Sequence, residues 1–135
     1  MNRTSLESRL KDFFESSAIA QPVAAAYLYG SRARGDERPD SDVDVAVLLE
    51  GPEPALYPSR ALVIEGELEG WLRLPTQVIA LQDASVDLVH RVLRDGVLVR
   101  DRDRSARIAF EVRARNEYFD LLPILRTCRR SSVGR

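Results

Sequence analysis

The sequence predicts an α/β fold with a small mixed sheet, helices mostly on one face, and a long C-terminal helix. Four short apolar segments, at 23–29, 42–49, 76–81 and 97–99, have strand character, and segments of helical periodicity separate them. The chain has 135 residues, 44% apolar and 30% charged, as expected for one domain around one core. Residues 1–135 are therefore read as a single domain, with 102–130 as a C-terminal helical extension.

Thr4 and Glu7 have the spacing of a capping box, and Leu6, Leu10, Phe13 and Phe14 recur on one helical face, so 4–17 is predicted as a helix. Pro22 closes the linker that follows. Val23 to Tyr29 reads as a buried strand, ended by Gly30. Ser31 is expected to cap a short helix starting at Arg32. The polar stretch 35–41, with Gly35 and Pro39, is a loop. Asp42 to Leu49 alternates, placing Asp42 and Asp44 on one strand face and Val43, Val45 and Val47 on the other. Glu50 to Pro58 is a proline-rich exposed connection. A helix is predicted over 59–73, although Gly66 and Gly70 weaken it. Thr76 to Leu81 is the third strand. Asp83 or Ser85 caps a helix whose face is Val86, Val89, Val92 and Leu93, closed by Gly96. Val97 to Val99 is a short strand. A long helix starts near Arg102, with Ile108, Val112, Phe119 and Leu122 on one stripe. Pro123 is expected to kink or end it, and Ser131 to Arg135 to fray.

No apolar run approaches the roughly 20 residues that cross a bilayer, and no signal-type apolar block follows the first residues. The single cysteine, Cys128, allows no internal disulfide and no cysteine zinc cage, and a cytoplasmic, reduced setting is expected. Net charge is −1, but it is unevenly spread: residues 1–90 carry 8 basic and 15 acidic side chains, residues 91–135 carry 12 basic and 6 acidic. The basic half suits either a solvated, salt-bridged helix or a partner surface.

The chemistry is concentrated in "GSRARGDERPDSDVDVAVLL", residues 30–49. Two carboxylates on one strand face repel each other unless a cation lies between them. Magnesium takes oxygen ligands, and one or two protein carboxylates commonly share it with substrate phosphates. A Gly30-Ser31 turn between strand and helix offers backbone N–H groups and a hydroxyl to such an anion, with Arg32 and Arg34 adding charge-assisted contacts. An anion cradle next to a metal clamp points to phosphoryl or nucleotidyl transfer, in which positioning and charge neutralisation do most of the catalysis.

Gly30-Ser31, ten residues, then Asp42-Val43-Asp44 resembles the GS-x10-DxD signature of the DNA polymerase β-like nucleotidyltransferase superfamily. The intervening "RARGDERPDSD" is similar to the minimal nucleotidyltransferases (MNT). "VIALQDAS", "VLRDGVLV" and "FEVRARNEYFDLLPILR" extend the resemblance over most of the chain, the last looking like MNT proteins that pair with HEPN ribonuclease toxins. The resemblance implies a polymerase β-like fold. It implies that Gly30 and Ser31 bind the triphosphate and that Asp42 and Asp44 ligate Mg2+. It further implies an antitoxin that transfers AMP from ATP to a tyrosine hydroxyl of a HEPN toxin and so silences it.

The family's third acid falls on the strand 76–81, where the best register gives Gln77. A glutamine can touch a metal but cannot act as a base near neutral pH. The alternatives are slow transfer, recruitment of Glu65, Glu67, Glu69 or Asp83, or an antitoxin that binds nucleotide and partner without turnover. A small-molecule nucleotidyltransferase is a further alternative, disfavoured because no second domain is present to grip a substrate. A small complex, homo- or hetero-oligomeric, would instead supply the acceptor. No membrane partner is expected. Nucleic acid is disfavoured: the arginine-rich 102–130 region has few aromatics and no recognition motif. His90 is read as structural or surface, Tyr27 and Tyr29 as core or near-site packing, Tyr118 and Phe119 as core, and Trp71 as a candidate partner contact. Cys128 is given no role.

Overall fold

The computed structural model describes residues 2–53 and 58–133, without the side chains of 125 and 129–133. Its elements, in chain order, are α1 (Arg3–Ser16), β1 (Val23–Tyr29), α2 (Ser31–Arg34), β2 (Val43–Leu49), α3 (Arg60–Leu72), β3 (Thr76–Ala80), α4 (Val86–Asp95), β4 (Val97–Asp101) and α5 (Arg104–Val133). Single 3-10 turns precede β1 and follow β3. The sheet order is β3-β2-β1-β4, with β1 antiparallel to β2 and β4 and β2 parallel to β3. This is the small mixed sheet that the sequence predicts.

Helices cover both faces of the sheet rather than mostly one. On one face, Val43, Val45 and Val47 pack with Leu6, Phe14, Ile64 and Leu68 of α1 and α3. On the other, Tyr27, Ala46 and Leu48 pack with Val89 and Val92 of α4 and Phe110 of α5. The physical reason is visible in β1: Val23 to Leu28 are all buried, and a strand apolar on both faces needs cover on both.

Several ends differ from expectation. Asn2, not Thr4, caps α1, its side chain accepting from the Ser5 N–H, so the Thr4–Glu7 capping box does not form; Glu7 pairs instead with Arg3 at 3.3 Å. Ser31 is the first residue of α2 and Gly30 is its cap, with no side-chain bond. Ser85 rather than Asp83 caps α4. Gly96 ends α4 for reasons of space: a Cβ there would stand 2.3 Å from the Val92 carbonyl oxygen. α5 runs through Pro123 without ending and is helical to Val133. Residues 54–57 of the predicted proline-rich connection and 134–135 of the predicted frayed end lie outside the described residues.

The stripe Ile108, Val112, Phe119 and Leu122 does not enter the core. Phe110 is buried and Ala106 and Ala114 pack beside it, because small alanines let α5 approach the sheet, while Phe119 is 65% exposed. Tyr118 does not join a buried core either; it stacks on His90 with ring centroids 3.6 Å apart and planes 3° from parallel. α5 is tied down by a polar network. The Tyr27 hydroxyl donates to Glu111 Oε1 at 2.7 Å, and Arg107 bridges Glu111 and Asp101. Trp71 is 42% exposed, with its indole N–H donating to the Arg9 carbonyl and its ring edge on Phe13.

Candidate active site

The site forms where β1 ends and β2 and β3 begin. β1 breaks at Gly30, whose φ of +76° and ψ of −158° suit a residue without a Cβ. The chain then turns into α2, and both Ala33 and Arg34 N–H groups return to the Gly30 carbonyl at 3.1 Å. The first N–H groups of such a turn have no helical acceptor and are available to an anion. Gly30 abuts Asp44: a Cβ built on it would lie 2.5 Å from Asp44 Oδ2. The turn and the carboxylate are thus neighbours in space as well as in motif.

Asp44 pairs with Tyr29 across β1–β2 and with Gln77 across β2–β3. Tyr29, Asp44 and Gln77 therefore stand in one row on the face that α4 and α5 share. Asp42 lies one residue before β2 and is exposed, while Asp44 is half-buried. Burial raises the Asp44 carboxyl above its ordinary range, the Asp42 charge raises it further, and Arg34 lowers it. Burial, and then the Asp44 charge, push the Tyr29 hydroxyl up to about 12, against the pull of Arg91.

Arg32 and Arg34 part company. Arg32 is buried, 5% exposed, and its Nε donates to the Ser41 carbonyl at 3.0 Å, bracing α2 against the loop that delivers Asp42. Arg34 is exposed, pairs with Asp36 at 3.4 Å, and is the arginine whose charge reaches Asp44.

The substitute acids are occupied elsewhere. Glu65 accepts from the Val78 N–H at 2.9 Å and Glu69 from the Thr76 N–H at 3.1 Å, both along β3. Glu67 accepts from the Ser17 hydroxyl at 3.0 Å. Asp83 follows the opposite end of β3 from Gln77. Among the described residues no group of three acidic, histidine or cysteine side chains gathers as a metal cage. Asp42 and Asp44 alone still fit a magnesium ion: they are hard oxygen donors, and the Asp42 charge that raises the Asp44 carboxyl is a repulsion that a cation between them would relieve. The sequence reading missed Arg91, whose place on α4 beside Tyr29 only the packing reveals.

The sequence model of the family described as polymerase beta, nucleotidyltransferase matches residues 9–105, and the chain belongs to that family. No curated protein matches it. Among solved structures, a toxin–antitoxin complex with AMP-PNP holds a chain 20% identical, with 94% of each chain covered and a TM-score of 0.70. A complex of tri-AMPylated Shewanella oneidensis HEPN toxin with MNT antitoxin holds one 18% identical, covering 97% of this chain and 94% of that one, at a TM-score of 0.66. The toxin–antitoxin MntA-HepT holds one 18% identical, covering 96% and 94%, at 0.65. At these identities the likeness is one of fold alone. Among the described residues no helix is long and apolar enough to cross a membrane.

Proposed function

We propose that this chain is the antitoxin of a HEPN–MNT pair and transfers AMP from ATP, with magnesium, to a tyrosine hydroxyl of its partner toxin, neutralising it. The observation that carries the reading is the contact of the Gly30 turn with Asp44. It joins an anion cradle to a carboxylate pair within one strand–turn–helix unit. In this reading Gly30 and Ser31 hold the triphosphate, Arg34 adds charge beside it, and Arg32 keeps the loop to Asp42 in place. Asp42 and Asp44 would hold Mg2+, which when bound neutralises phosphate charge.

Transfer forms a bond from the tyrosine oxygen to the α-phosphorus and breaks the bond to the β-phosphate oxygen, releasing pyrophosphate. The hydroxyl proton needs an acceptor, which Gln77 cannot be. A cytoplasmic setting, where ATP is at hand, is part of the proposal. One observation favours a second reading, a nucleotide-binding antitoxin without turnover: Gln77 is the direct neighbour of Asp44 across β2–β3.

Intact mass of the neighbouring gene's product, after incubation with this chain and Mg-ATP, separates the two. AMP-sized increments that vanish with Asp42→Asn/Asp44→Asn support transfer. No increment, with the two proteins still co-purifying, supports the binding antitoxin. No increment and no association would overturn both.

A further inference from the structure

We infer that the outer stripe of α5 is a docking surface for an acidic, amphipathic helical face of a partner protein, and not for a second copy of this chain. The inference deepens the reading above, since the partner it concerns is the toxin proposed there.

α5 is 30 residues long and only its inner side is covered, at Ala106, Phe110 and Ala114. At 100° per residue, Ile108, Val112, Phe119 and Leu122 fall within an arc of about 80° on the opposite side. Ile108, Val112 and Phe119 are 42%, 48% and 65% exposed. Arg104, Arg115 and Arg126 lie in the same arc and are exposed. Their spacing of 11 residues drifts by only about 20° each time. No acidic residue falls in that arc. The stripe is therefore apolar residues interleaved with charge of a single sign.

Past the body of the protein the apolar surface widens. Leu121 and Ile124 continue the inner arc of Phe110, yet they are 36% and 59% exposed. From Phe119 onward the helix has uncovered apolar residues on both sides. A helix of that kind gains little stability alone in water, and exposed apolar residues clustered on it mark an interface.

The charge selects the occupant. Two copies packed stripe to stripe about a twofold axis through Arg115 would set Arg104 against Arg126, and parallel pairing would set each arginine on itself. Like charges at close range disfavour both. Nucleic acid would engage the arginines but leave Ile108 and Val112 wet. A helix with carboxylates flanking an apolar seam satisfies both features, by ordinary helix-on-helix packing.

The test uses the full chain co-expressed with the HEPN toxin proposed as its partner. A photo-crosslinking phenylalanine analogue replaces Val112 or Phe119, with Leu62, exposed on α3, as control. The expected result is cross-links from 112 and 119 to an acidic helical segment of the partner and none from 62. Arg104→Glu/Arg115→Glu/Arg126→Glu is expected to weaken the complex by about tenfold or more. Cross-links from 112 and 119 to a second copy or to RNA, their absence, or undiminished binding by the triple variant would overturn the inference. AMP transfer by a chain whose α5 makes no cross-link would leave the proposed function standing without this surface. Cross-links without AMP transfer would do the reverse.

Discussion

The backbone of Gly30 lies against the carboxylate of Asp44 so closely that a Cβ on Gly30 would stand 2.5 Å from Oδ2 and 3.3 Å from the carboxyl carbon. Gly30→Ala would force the Asp44 carboxylate to rotate away and would also strain a backbone at φ +76°. Strain of this kind costs about 1–3 kcal/mol. The expected outcome is a lower Tm and a loss of about tenfold or more in Mg-ATP affinity, measured by thermal unfolding and titration calorimetry. Unchanged affinity would detach the turn from the nucleotide site.

Asp44 is expected to make the metal-free protein less stable. Burial, reinforced by the charge of Asp42, raises its folded-state pKa above the ordinary 3.8. Between those two values the native state keeps a proton that the unfolded chain has lost, so stability falls as pH rises through the window and stays reduced above it. Asp44→Asn is therefore expected to raise the Tm by a few degrees at neutral pH without magnesium, and the gain should disappear below the ordinary value. Added magnesium should stabilise the native chain and not the variant. A variant that melts lower than the native chain at neutral pH would contradict the assignment.

Gln77 is the residue to convert. As the register partner of Asp44 at the start of β3, it is placed where a carboxylate would join the pair on one face. Gln77→Asp is expected to raise the AMP transfer rate by about tenfold or more, since a positioned base contributes about 10²–10⁴. Time courses of intact mass read the effect. An unchanged or lower rate would mean that the proton leaves by another route.

Arg107 anchors α5. Its side chain, 16% exposed, bridges Asp101 at 2.9 Å and Glu111 at 3.1 Å. Arg107→Ala removes the partner that both carboxylates share, leaving Glu111 with the Tyr27 hydroxyl, and is expected to cost about 1–3 kcal/mol in urea unfolding. Tyr27→Phe removes one hydrogen bond to Glu111 and leaves Arg107 in place, for about 0.5–1.5 kcal/mol. The reverse ranking would show that the sheet contact, not the ion pair, holds the helix.

Much of this protein is set locally and is legible in the residues. The apolar run 23–29, ended by a glycine, reads as a strand although its alanines also suit a helix, and it forms β1. Alternation after Asp42 puts Val43, Val45 and Val47 on one face of β2, and that face is buried. The Leu6, Leu10, Phe13 and Phe14 face of α1 is buried as its period requires. Gln77 and Asp44 fall opposite each other, as the motif's register implies.

Other features depend on what arrives from far along the chain. The strand order, and helices on both sheet faces, follow from which apolar surfaces find each other, and a run of buried alanines does not say which helix will cover them. Arg32 and Arg34 are alike in sequence, and only the loop folding over one of them makes it a brace and leaves the other beside Asp44. On α5 two stripes compete for the sheet: Ile108, Val112, Phe119 and Leu122 carry more apolar surface, yet Ala106, Phe110 and Ala114 are turned inward. Small side chains permit close approach and Arg107 and Glu111 find partners there, so contact distance and ion pairing, which exist only in the folded chain, outweigh hydrophobicity counted along the sequence.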